Sequence, residues 1–314
     1  MKDMQRKTGY RLLSRERIPI WEGLLGWMLA LQFILPASLL RIDWVHLMIL
    51  FAPLVVVPLA LQLSGSWMSF LKPMRWLFFP AALLLGVPYC VPDIPWISFL
   101  SIPWFALTVT VALQALRHFF RTPTSGRSFS QFATLVGFLY LPVGAAWALA
   151  DRLGIHPFGF QDPIVLLTAA HFHYAGFVLP IVAGFLLSQK NTRLFRSITW
   201  GILTGIPLVA LGILITHWGG PVWVEGIFAV FMGLSGMGLA LWQISYSVGK
   251  STALRWLPLI GSVLLLSGMM LAISYGLRFI WPGLSISYMY GVHGTINVVA
   301  CSLLVLQPKA TEGL

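Results

Sequence analysis

The chain has 314 residues, of which 58% are hydrophobic and only 9% charged, with a mean hydropathy of +0.85. A soluble domain carries about a quarter charged residues, so this composition excludes a soluble enzyme, a nucleic-acid-binding domain and a disordered tail in spite of a net charge of +11. Two cysteines, Cys90 and Cys301, leave no room for a disulfide framework, a zinc ribbon or a Cys-x-x-Cys-His haem attachment. The expected fold is an all-α, polytopic transmembrane helix bundle whose partner is the lipid bilayer.

A span needs roughly 20 apolar residues to cross about 30 Å of hydrocarbon. In chain order ten stretches qualify: 20–40, 44–64, 73–91, 95–116, 129–150, 161–187, 197–217, 221–247, 255–278 and 284–307. Pro80 and Pro88 interrupt the third, which a span tolerates only where neighbours satisfy the freed carbonyls. Residues 1–19 read as a basic cytoplasmic segment, 20–307 as one transmembrane domain and 308–314 as a cytoplasmic tail.

With the N-terminus placed inside and the sides alternating, every Lys and Arg except Arg41, Arg152 and Arg278 falls in a cytoplasmic segment. That is the positive-inside bias, and it predicts ten spans in a bacterial cytoplasmic membrane with both termini inside. The same placement accounts for the net charge through topology. Trp21, Trp44, Trp76, Trp96, Trp200, Trp223 and Trp281 sit near predicted span ends, as an interfacial belt does. The first apolar run is too long for a signal-peptide core and no A-x-A site follows, so it is expected to be an uncleaved span. No hydrophilic segment is long enough for a soluble catalytic domain, and no G-x-x-x-x-G-K-[S/T] loop occurs, which argues against an ATP-driven machine.

Ionisable groups at lipid depth are costly, and each is a functional-site hypothesis by default. The sixth span carries Thr168, His171, His173 and Tyr174, and the tenth carries His293 and Asn297. Counted from Asp162 and Pro282, His171 and His293 lie about 14 Å and about 16 Å deep at the helical rise, so they share a level near the midplane. Residues two apart on an undistorted helix point about 200° apart. His171 and His173 then face opposite sides, with His171 beside Thr168 and Tyr174. His293 and Asn297, four apart, share a face. The expected pairing is His171 or His173 with His293, and Gly176 and Gly294 would admit a cofactor or a second helix closely. Nearer the outer surface, Glu225 and Arg278 are expected to pair and neutralise two costly charges. With Tyr275, Tyr288 and Tyr290 they would line a mouth leading to the histidines.

The segment His171-Phe172-His173-Tyr174-Ala175-Gly176-Phe177 together with His293-Gly294-x-x-Asn297 resembles the YndJ-like family of bacterial multi-pass membrane proteins. The resemblance implies a polytopic bundle and assigns no activity. More locally, Ala170-His171-Phe172-His173-Tyr174 is similar to the helix of haem-copper oxidase subunit I that ligates two haems from opposite faces. The chain lacks the His-Pro-Glu-Val motif and the adjacent histidine pair of the copper centre, and has ten predicted spans rather than twelve. What this likeness implies is narrower: His171 or His173, with His293, coordinating a haem or a transition metal.

Three functions compete on these residues. The first is a membrane protein with a midplane site in which His171, His173 and His293 bind haem or a metal, the bound group open to redox chemistry, since neutral imidazoles are good ligands for both. The second is a secondary transporter or channel for an ion or small solute that uses the same histidines and Glu225. The third, ranked last, is a lipid- or isoprenoid-modifying enzyme with metal-bound histidines; such enzymes usually need more carboxylates or histidines near one surface. All three imply a small-molecule or ion ligand.

Overall fold

The computed structural model describes residues 22–28, 30, 43–91 and 95–307. The basic segment 1–19, most of the first predicted span, Trp21, Arg41 and the tail 308–314 lie outside the described residues. Among the described residues every regular element is helical, as the composition requires.

Eight helices are long and apolar enough to cross a membrane: α1 Trp44–Leu63, α2 Ser69–Cys90, α3 Pro95–Arg121, α4 Phe129–Arg152, α5 Ile164–Gln189, α6 Arg193–His217, α7 Val222–Val248 and α8 Ala253–Gly276. They match the second to ninth predicted spans. The tenth is a continuous helix, α9, over 286–304, which carries enough polar residues to fall below that apolar standard. Pro80 and Pro88 do not break α2, whose α-helical part runs unbroken through Arg75–Cys90. Trp44, Trp76, Trp96, Trp200, Trp223 and Trp281 are all exposed, in keeping with an interfacial belt.

Polar side chains set the helix starts. Ser128 caps α4 in a reciprocal box with Gln131, Thr192 accepts from Phe195 N at α6, and Ser285 accepts from Tyr288 N at α9. Small residues set the close crossings. A side chain at Gly226 of α7 would come within 2.7 Å of Gly276 O on α8, so the two backbones approach as far as they do because neither residue carries one.

Helices α1 and α5 are the most deeply buried of the spans. Both depart from α geometry: Ala52–Val56 in α1, Phe172–Val178 in α5 and Met289–Gly294 in α9 are π-helical. Proline explains two of the three. Pro53 and Pro180 lack the N–H that an α-helix would send back one turn, so the local ladder is rebuilt with a longer step. Near Pro53 the Tyr174 hydroxyl of α5 donates to Met48 O at 2.6 Å, tying α5 to α1. In α6, Pro207 likewise leaves Leu203 O without its helical donor, and Tyr140 Oη of α4 donates to it at 2.8 Å.

Candidate functional site

A cavity of about 570 Å³ lies among α1, α4, α5, α6, α7, α8 and α9. Its wall is mostly aliphatic and aromatic, with Met48, Trp147, Leu167, Val209, Met269 and Met289 among the contributors. Phe158 and Phe160, from the loop between α4 and α5, line one end of it, and Phe160 packs on His217 with ring centroids 4.3 Å apart. Into this apolar space the fold brings Thr168, His171, Tyr174, Glu225, Tyr275, His293 and Asn297.

The expected common level of His171 and His293 has a simple structural form. Each stands seven residues beyond the first residue of its helix, Ile164 for α5 and Ile286 for α9. The depth is therefore about 10 Å from the helix start, shallower than the count from Asp162 and Pro282 gives, because neither of those residues is helical.

The two histidines of α5 face opposite ways, although the π-segment means that the helix is not the undistorted one assumed. His173 is 0% exposed and absent from the cavity wall. Its Nδ1 donates to Ala169 O at 2.8 Å and its Nε2 accepts from Trp104 Nε1 at 3.1 Å, which uses both ring nitrogens. Gly144 of α4 lets this happen: a Cβ there would meet His173 Nδ1 at 2.7 Å. His171 lines the cavity, and its buried Nε2 has no hydrogen-bond partner.

His293 lies between these extremes. Its Nδ1 is 2.8 Å from Gly268 O on α8, and Asn297 Nδ2 donates to His293 O at 2.9 Å and lies 3.1 Å from the imidazole Nε2. The shared face expected for His293 and Asn297 is thus a direct contact. Asn297 Oδ1 is buried without a partner. Gly294 is part of the cavity wall, whereas Gly176 seats α5 against Tyr140 of α4.

Near the start of α7 and just beyond the end of α8, Arg278 Nη1 and Nη2 donate to Glu225 Oε1 and Oε2, both at 2.8 Å. This is the predicted pair in bidentate form. The guanidinium also covers the Tyr275 ring at 4.3 Å, and its hydrogen bond to Glu225 raises its pKa further above the usual arginine value. Glu225 and Tyr275 line the cavity, and Arg278 holds them from behind. Tyr288 does not join the expected mouth. It is 44% exposed and off the cavity wall, while Tyr290 lines it, because residues two apart on a helix point to nearly opposite sides.

Among the described residues no three His, Cys, Asp or Glu side chains are grouped so as to hold a metal ion. The ligand set of His171, His173 and His293 is not assembled, since His173 is turned to the far side of α5. Cys90 and Cys301 are both free thiols. The apolar wall was not legible as a site from sequence, where its residues read as ordinary span residues. The prolines at 53 and 180 were the available signal for the π-segments.

No solved structure matches the chain, and nothing supports the likeness of residues 170–174 to the haem-copper oxidase helix. A Bacillus subtilis (strain 168) protein described as "uncharacterized membrane protein YndJ" is 37% identical over 112 residues, which make up 35% of this chain and 20% of that protein. The match thus spans about a fifth of the relative's length. The model of the YndJ-like protein family matches residues 47–301. That range takes in α5 with His171 and nearly all of α9 with His293 and Asn297, and the chain belongs to the YndJ-like family of membrane proteins.

Proposed function

We propose that this protein is a membrane-embedded receptor for a small, largely apolar molecule that occupies the cavity with its polar end at His171. The observation that carries the reading is a cavity of about 570 Å³, walled by apolar side chains, with His171 on its wall and Nε2 of that ring unpartnered. Small-molecule sites have volumes of roughly 300–1,000 Å³, apolar walls and a few placed polar groups. An unsatisfied buried nitrogen costs about 1–3 kcal/mol, a cost that a polar group on a ligand offsets once the ring turns towards it.

The test is native mass spectrometry of the protein released from lipid nanodiscs of defined composition, beside an Ala272→Phe variant that fills part of the cavity. A bound molecule at one per chain, absent from the variant, is the expected result. Protein that carries and takes up no apolar molecule would end the proposal.

A second reading keeps the haem or metal, now on His171, a cavity-wall histidine whose buried Nε2 is unengaged and would turn towards the ligand. Oxidised and reduced absorption spectra with elemental analysis decide it: a Soret band or stoichiometric metal lost in His171→Ala supports it, and a clean spectrum from haem- and metal-supplied cells removes it. Transport through the same groups has less support. Glu225 would have to exchange partners, and both of its oxygens are held by Arg278.

A further inference from the structure

The walls of the cavity also bear on what kind of molecule it takes and by what route. Its lining includes one acidic side chain, Glu225, and no lysine or arginine among the described residues. The Arg278 guanidinium, which reaches Glu225 of the wall, is spent on it in a bidentate pair. An anionic head group would therefore enter a space with no free cation, and an unpaired charge in an apolar site is strongly disfavoured. A neutral hydroxyl meets no such penalty. It can hydrogen-bond with His171 Nε2 or Asn297 Oδ1 once either side chain turns towards it, since both atoms are buried without a partner on side chains of the cavity wall.

A groove on the outside of the bundle, between α4 and α6, runs from Leu211 towards Phe132 and Trp200. Leu211 lines both this groove and the cavity, and it is 45% exposed. Beside it, Phe172 of the cavity wall packs on Tyr140 of the groove with centroids 5.7 Å apart. The partition between cavity and groove is thus only a few side chains thick. On this face α4 and α6 are joined by the hydrogen bond from Tyr140 to Leu203 O. The groove is apolar and faces what would be lipid in a membrane.

We infer that the ligand is a neutral, hydroxyl-bearing, single-chain lipid of the acyl or isoprenoid alcohol class, with its hydroxyl at His171 and Asn297 and its chain passing Leu211 into the α4–α6 groove. This inference rests on the reading of the cavity as a small-molecule site. It accounts for a polar group at the inner end of an apolar space, and for a shared residue where that space reaches the lipid-facing surface.

The experiment is photolabelling of the full chain in nanodiscs with hexadecanol carrying a diazirine either at its far end or beside the hydroxyl, in competition with unlabelled hexadecanol or hexadecanoate. The far-end probe is expected to mark α4 and α6 along the groove, and the head-end probe to mark α5 and α9 around His171. Hexadecanol should compete at least about tenfold better than hexadecanoate, given the cost of burying an unpaired charge. Leu211→Trp should reduce groove labelling to background. Saturable labelling at the same places with equal competition by the carboxylate would overturn the neutral-lipid assignment and leave the cavity reading standing. Far-end labelling at the Phe158 loop in place of the groove would overturn the route. No saturable labelling by any probe would overturn the cavity reading itself.

Discussion

His173 and His171 stand two residues apart on α5, and the fold treats them in opposite ways. On the His173 side the helix packs against α3 and α4, Trp104 is 0% exposed, and both imidazole nitrogens are engaged. On the His171 side the packing stops at a cavity and a ring nitrogen goes unsatisfied. A histidine with a full set of hydrogen bonds orients helices. The other, left without them beside unfilled space, is where we propose that a ligand binds. The lesson is that a H-x-H pattern in a span divides into a satisfied and an unsatisfied half once each side of the helix has its own neighbours.

That contrast can be broken or sharpened by substitution. The largest effect is expected at Trp104→Ala, which empties a fully buried site and strips His173 of its donor. A loss of about 3–5 kcal/mol, read from thermal unfolding in detergent, follows from the cost of deleting a buried Trp. Next comes Arg278→Gln, which leaves Glu225 buried and unpaired. A loss of about 2 kcal/mol is expected, below the fully buried case because Arg278 is 24% exposed, and Glu225→Gln in the same chain should restore much of it. A double variant no more stable than the single one would show that the pair has no mutual dependence.

Smaller again is His173→Phe, which keeps the ring shape but leaves the Trp104 indole N–H unpaired, for about 1–2 kcal/mol. At His171→Phe no loss of stability is expected, and a gain of up to about 1–3 kcal/mol, because a buried nitrogen without a partner is removed and no bond at Nε2 is lost. That variant should instead lose the bound molecule. Equal destabilisation by His171→Phe and His173→Phe would erase the distinction between the two sides of α5.

Much of the architecture could be read from residue order. Apolar runs of span length place α1 to α9 within a few residues, and the polar exceptions at Glu225 and Arg278 anticipate a pair that links positions 53 apart. The alternation at His171 and His173 is likewise a property of helical turn angle. The engagement of His173 was not legible, because Trp104 lies on another helix, 69 residues away, and looks like any other span tryptophan. Tyr288 was misplaced for another reason: it stands two residues from Tyr290, and the same turn angle that separates His171 from His173 puts the two tyrosines on opposite sides of α9.

What the sequence by itself determined is the set of membrane-length helices, the scarcity of charge between them and the few polar groups that have to find one another, since all of these follow from transfer energies and the helical repeat. The tertiary structure alone decided which of those polar groups are satisfied and which border the cavity. That depends on where seven helices fail to fill the space between them, and packing of that kind is a relation among side chains far apart in the chain, invisible to any local pattern.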